Sequence, residues 1–237
     1  MKKFAFILMA AIASLGFMSC NSKSSDNFAQ ATMFASAQSG AQGLFFETDH
    51  GQKLLVTEYL PTNYYPSWGD RMVFTYKVMK NLQTDPTNTS GFDFEIKIFE
   101  ALKVRWGGAT TISESNELDM YGEGRLSFQL MQWSKKSLNF YAVPNGTTKG
   151  IYTLVYNEDP SFKPKYTEEG YINFILCHDT STGQTTSNYD LGEFLSIDLT
   201  EFADKIEQEG SKGFIIEATN EAGKKDYLRI DWAGLQY

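Results

Sequence analysis

The chain has 237 residues, a net charge of −8 and 15% aromatic residues. That length makes one large or two small domains, and the acidity argues against nucleic acid as a partner, because a negative surface repels a phosphate backbone. Two histidines and two cysteines leave little material for a histidine-based triad or a Cys/His zinc site.

Lys2 and Lys3 lead into an apolar run over residues 4–15, which ends at Phe17-Met18-Ser19-Cys20 and turns abruptly polar. A charged start, a short apolar core and a small residue before the break mark an export signal. The run falls short of the ~20 residues a membrane helix wants. A cysteine directly after the small residue resembles a bacterial lipobox, which implies cleavage between Ser19 and Cys20 and lipid on the Cys20 thiol. Residues 1–19 are then a signal peptide, and 20–27 are a polar tether of the kind an anchored domain needs. Two acyl chains on one cysteine hold durably where one is marginal. The expected location is the cell envelope, as an outer-membrane lipoprotein whose membrane partner is reached through its N-terminal lipid. Asp26 is the one acid in the tether, so the surface and periplasmic orientations both stay open. With Cys20 acylated, Cys177 is single and has no internal disulfide partner.

The remainder reads as β, with runs of period two bounded by Gly, Asn, Asp and Ser. Over 28–104 the pattern predicts five strands, at 30–37, 42–48, 53–59, 71–79 and 92–104. Phe92, Phe94, Ile96 and Ile98 share one face of the fifth, and Asp93, Glu95 and Lys97 share the other. Between the third and fourth strands, Pro61, Tyr64, Tyr65, Pro66 and Trp68 lie in a segment with no helical period, which makes it a loop. Residues 80–91 form a second polar loop.

Residues 105–124 are expected to be a junction, because Trp106-Gly107-Gly108 breaks the fifth strand and Gly122 and Gly124 follow. Seven further strands are predicted at 126–131, 138–143, 151–156, 171–177, 194–199, 214–219 and 226–232. With turns between them they suggest a β-sandwich over 125–237. One short helix interrupts the pattern. Asp198 can cap it, Glu201 can complete a capping box, Gly210 can end it, and Leu199, Phe202 and Ile206 share its apolar face.

Gly51-Gln52-Lys53-Leu54-Leu55-Val56, Gly69-Asp70-Arg71-Met72-Val73-Phe74-Thr75-Tyr76 and Phe92-Asp93-Phe94-Glu95-Ile96-Lys97-Ile98 in the first half carry a family resemblance. Gly170-Tyr171-Ile172-Asn173-Phe174 and Leu195-Ser196-Ile197-Asp198-Leu199 carry it in the second. With the lipobox ahead of them, these patterns resemble the NigD-like lipoproteins of Bacteroidota. The resemblance implies an OB-type barrel followed by a β-sandwich, and it supplies no catalytic motif. Through the family's link to a bacteriocin operon it also implies self-protection against a toxin as one role.

Cys177 and His178 adjoin, but neighbours on a strand point to opposite faces and cannot share a proton. Cys177 is therefore expected to be a buried, inert thiol. Glu47 with Asp49, and Asp93 with Glu95, read as exposed acids on the wet side of a sheet. The segment from Asp179 to Asp190 offers oxygen ligands for calcium without the regular spacing, and a solvated hairpin tip is the plainer reading. No cofactor, metal or catalytic residue is expected, and the chain reads as no enzyme. Tyr64, Tyr65 and Trp68 admit two arrangements: a platform on which sugar rings stack, or a plug folded inward to seal the barrel end. The function expected is that of a non-catalytic, lipid-anchored envelope protein that binds or scaffolds an envelope protein or a glycan. Glycan accessory binding and bacteriocin immunity are the alternatives.

Overall fold

A computed structural model describes residues 30–62, 64–145, 148–185, 192–208 and 210–232. Ser19, Cys20, the signal segment and the tether lie outside them. The chain divides into two compact units between Val104 and Arg105.

Unit 1 consists of β1 (Ala31–Gly40), β2 (Gly43–Thr48), β3 (Lys53–Tyr59), β4 (Arg71–Asn81) and β5 (Phe94–Lys103). They close into a barrel in the order β1-β2-β3-β5-β4, with β3 and β5 parallel and β4 completing the circle against β1. This is the OB-type barrel that the resemblance implies. Alternation along each strand sends Phe46, Phe74, Ile96 and Ile98 inward to full burial, each contributing about 1.5–3 kcal/mol. Register shifts in β3 and β4 mark the irregularities that bend strands into closure. Phe92 departs from the expected inward row. It precedes the strand and packs edge-on against Phe45, with ring centroids 5.2 Å apart.

Asp49 also departs from expectation. Its carboxylate pairs with the Arg71 guanidinium at 2.6 Å, and the two side chains are 9% and 1% exposed. An acid that the alternation places on the wet face is buried because the first residue of β4 brings a cation to it. Leaving either charge alone in that position would cost several kcal/mol.

Unit 2 contains β6 (Arg105–Ile112), a 3-10 helix η1 (Ser115–Tyr121), β7 (Leu126–Trp133), β8 (Ser137–Pro144), β9 (Thr148–Asn157), β10 (Tyr171–Thr185) and β11 (Glu193–Asp198). A 3-10 turn (Thr200–Phe202), the helix α1 (Ala203–Ile206), β12 (Gly213–Thr219) and β13 (Lys225–Asp231) complete it. Eight strands form one curled sheet in the order β13-β12-β10-β9-β6-β11-β8-β7. Its two halves share a core: Leu138 and Phe140 come from one half, and Leu154, Phe174 and Phe214 from the other. That is the sandwich, built from one more strand than the sequence suggests.

The additional strand corrects the reading of residues 105–124 as a junction. β6 joins the two halves, with Arg105, Trp106 and Gly107 pairing with β11 and residues 108–112 pairing with β9. Gly107-Gly108 reads as a break because glycine is poor in strands. Here it permits close approach, since a Cβ on Gly107 would lie 3.0 Å from Leu195 Cδ1 and 3.1 Å from Tyr152 O. The helix is also shorter than the capping pattern suggests. Asp198 takes hydrogen bonds from the Thr200 backbone N–H at 2.8 Å and from its hydroxyl, so a 3-10 turn intervenes before α1. Leu199, Phe202 and Ile206 enter the core as the apolar stripe requires. On the opposite face of the sheet, Ile112, Val155, Ile175 and Cys177 are covered by Leu118 and Tyr121 of η1 and by Phe162.

Candidate functional site: the aromatic loop of the barrel

The segment joining β3 to β4 holds the aromatic residues singled out in the sequence. Two prolines keep it out of the ladder, and a set of hydrogen bonds fixes its path. Asp70 is the centre of that set. Its carboxylate accepts from the Ser67 N–H at 2.7 Å and from the Tyr64 hydroxyl, and it pairs with Lys103 Nζ at 2.6 Å. Burial alone would raise the Asp70 carboxyl, but its bonds with Lys103, Tyr64 and Ser67 together hold it below the usual carboxylate range. The backbone is tied down as well. Gly69 N–H donates to Ala37 O and Ala37 N–H to Asp70 O, both at 2.8 Å, while the Tyr59 hydroxyl donates to Tyr64 O at 2.7 Å.

This frame divides the aromatic cluster. Tyr64 packs against the barrel core and Pro66 is buried, so these two fold inward. Tyr65 and Trp68 point outward, 67% and 73% exposed. Tyr65 rests edge-on against Tyr59, with centroids 5.3 Å apart. The loop is thus divided: Tyr64 folds inward and anchors it, and Tyr65 and Trp68 are presented outward from it. Tyr59, Asp70 and Lys103 are the members sequence reasoning missed. Asp70 carried a local signal only in standing next to the turn glycine Gly69. Lys103 carried none, because only barrel closure brings the end of β5 to this loop.

Exposed rings normally lose water at the cost of ordering the chain that bears them. A loop already pinned by its own bonds has met that cost before any ligand arrives.

The other candidates resolve differently. Cys177 is buried, and burial pushes its thiol up to about 12, far from a nucleophilic thiolate. His178 lies on the other face of β10, stacked on Tyr152 at 4.5 Å and 12°. Its Nε2 accepts the Gly150 N–H at 3.1 Å. Burial, then the charge of Arg105, lowers its pKa. The two side chains therefore do not form a pair. Asp179 accepts from the Ser181 N–H at 2.8 Å, and residues 186–190 of the calcium-like segment lie outside the described residues. Among the described residues, no group of three or more His, Cys, Asp or Glu could hold a metal ion, and no helix is long and apolar enough to cross a membrane.

An OB-type barrel followed by a curled β-sandwich, with exposed rings on the barrel's β3–β4 loop, defines a two-unit all-β protein. That fold is shared with solved proteins from Bacteroides. A protein of unknown function, DUF1344, from Bacteroides vulgatus superposes with a TM-score of 0.65 at 17% identity, over 86% of this chain and 91% of that one. A "Putative lipoprotein" from Bacteroides fragilis gives 0.57 at 12% identity, over 86% and 98%. A NigD-like immunity protein from Bacteroides caccae gives 0.50 at 16% identity, over 85% and 92%. The likeness to NigD-like proteins read in the sequence therefore holds at the level of the fold. No family model and no curated protein matches the chain.

Proposed function

We propose that this chain is a NigD-like, lipid-anchored, non-catalytic protein of the cell envelope that works by holding a ligand against Tyr65 and Trp68. One observation carries the reading: two largely exposed rings stand on a loop whose backbone and flanking side chains are already fixed by Asp70, Lys103 and Tyr59. Rings held in place offer apolar area at little entropic cost, which suits a partner with flat apolar faces, and a glycan has such faces. The similarity of fold to the "Putative lipoprotein" and the lipobox-like pattern at Cys20 support the anchor. An immunity role is favoured by the NigD-like neighbour's name and by no feature of the loop.

The test is a Tyr65→Ala/Trp68→Ala double variant run by affinity electrophoresis in gels cast with xylan, mannan or dextran. Surface truncations cost within about 0.5 kcal/mol each, so the melting temperature should move by only a few degrees, while retention of the wild type in at least one gel should be lost. Unchanged retention, or a melting temperature more than ~10 °C lower, would show that the rings serve the barrel rather than a ligand.

A further inference from the structure

Unit 2 holds a groove of about 370 Å³, inside the range of about 300–1,000 Å³ typical of small-molecule sites. It lies between the end of β9, the segment leading into β10, and the turn after α1. Tyr156, Phe162 and Tyr171 supply rings, Asn173 and Gln208 supply amides, and Lys205 lies at one side.

We infer that this groove is a second binding site, separate from the barrel loop, and that it takes a neutral, hydroxyl-rich ligand of the glycan class. The first reason is Asn173. Its Nδ2 donates to Thr167 Oγ1 at 3.3 Å and to Tyr171 O at 3.5 Å, whereas its Oδ1 is shielded from water and has no hydrogen-bond partner. A buried acceptor left unpaired costs about 1–3 kcal/mol. The terminal torsion of an asparagine is broad and soft, so a small turn presents that oxygen to a ligand hydroxyl.

The second reason is charge. Lys205 Nζ is engaged by Glu158 at 2.6 Å and sits 4.4 Å from the Tyr156 ring centroid. Among the described residues no carboxylate lines the groove. With the ammonium neutralised and no acid present, neither an anion nor a cation gains much, and a neutral ligand loses nothing. Amide side chains, each with donors and an acceptor, suit hydroxyls that both give and take hydrogen bonds.

The third reason is the backbone around the groove, part of which is already held in place. β10 pairs with β12 from Tyr171 to Leu176 and with β9 from Phe174 onward. The rim is also preset. Lys212 N–H donates to Gly170 O at 2.7 Å, and a Cβ on Gly170 would meet Gly210 O at 2.8 Å. Tyr171 is steadied by the Arg229 guanidinium, 4.6 Å from its ring centroid, and by its hydroxyl bond to Asp231.

The experiment uses the full-length protein in a detergent without a sugar headgroup, applied to a printed panel of neutral, sialylated and sulfated glycans. Hits are titrated by calorimetry. In a Tyr65→Ala/Trp68→Ala background, which removes the barrel-loop rings, binding should be confined to neutral glycans and weaken at least tenfold in Asn173→Leu and in Gln208→Ala. Gln208 is exposed, so its variant decides the matter should Asn173→Leu fold poorly. Binding of no neutral glycan, or binding insensitive to both groove variants, overturns the inference. Glycan binding present in the wild type and absent from the Tyr65→Ala/Trp68→Ala background would overturn it too, while leaving the barrel-loop reading in place.

Discussion

Gly107→Ala tests the part of the fold that differs most from expectation, the strand that joins the two halves of the sandwich. Gly107 has no positive φ, so alanine is compatible with its backbone and by itself would stabilise by about 0.4–1 kcal/mol through the unfolded chain. Against this stands the new Cβ, 3.0 Å from Leu195 Cδ1, 3.1 Å from Ile197 Cγ1 and 3.1 Å from Tyr152 O. The two side-chain atoms can give by a few tenths of an ångström. The carbonyl belongs to a paired strand and cannot. Overpacking of this kind costs about 1–3 kcal/mol, so the net effect is a loss of about 1–2 kcal/mol, and Gly107→Val should lose more. Unit 1 would obscure the transition, since two units need not unfold together. Three of the four tryptophans, Trp106, Trp133 and Trp232, lie in unit 2, so urea unfolding followed by tryptophan fluorescence in a Trp68→Phe background reports that unit alone. Midpoints for both variants at or above that of the parent would show that Gly107 is not closely approached, and the described path of β6 would be wrong.

His178 is buried with a lowered pKa, so the folded state resists a proton that the unfolded chain accepts below ~6.5. Stability is then indifferent to this group above that pH and declines as pH falls below it, by at most about 1.4 kcal/mol per pH unit. Melting curves of wild type and His178→Gln between pH 7.5 and 5.5 should show a flatter dependence in the variant, and equal slopes would refute the buried neutral imidazole. Cys20→Ala should lose labelled palmitate, and undiminished incorporation would remove the anchor. In that same variant Cys177 is the sole cysteine, and native protein should resist N-ethylmaleimide at pH 7 until urea exposes it, because the thiol is buried and pushed up to about 12. Rapid native alkylation would contradict its placement beneath η1.

What could be read from the chain alone is what neighbouring residues determine between themselves. Leu126, Phe128 and Leu130 alternate with Ser127 and Gln129, and in the structure that row packs on the sandwich core. Leu228, Ile230 and Trp232 do the same on β13 and just beyond it. The opposite placement of Cys177 and His178 follows from strand geometry and holds. Pro61 and Pro66 marked the loop between β3 and β4, and Leu199, Phe202 and Ile206 marked the buried stripe around the short helix.

Tertiary structure decided whatever depends on partners distant in sequence. Alternation assigned Asp49 to water, and Arg71 took it inward across 22 residues. The glycine pair at 107–108 spoke for a break, and only the crowding of Leu195 and Tyr152 around it makes absence of a side chain the condition for a strand. Which of Tyr64, Tyr65 and Trp68 turn inward was undetermined locally, because all three are equally able to be buried. It was settled by Asp70 and Lys103, one holding Tyr64 by its hydroxyl and the other reaching in from the end of the barrel's last strand. The groove of unit 2 is further still from local reading: its walls come from Tyr156, Asn173 and Gln208, on three different segments, and no periodicity in any one of them records that the other two will be there.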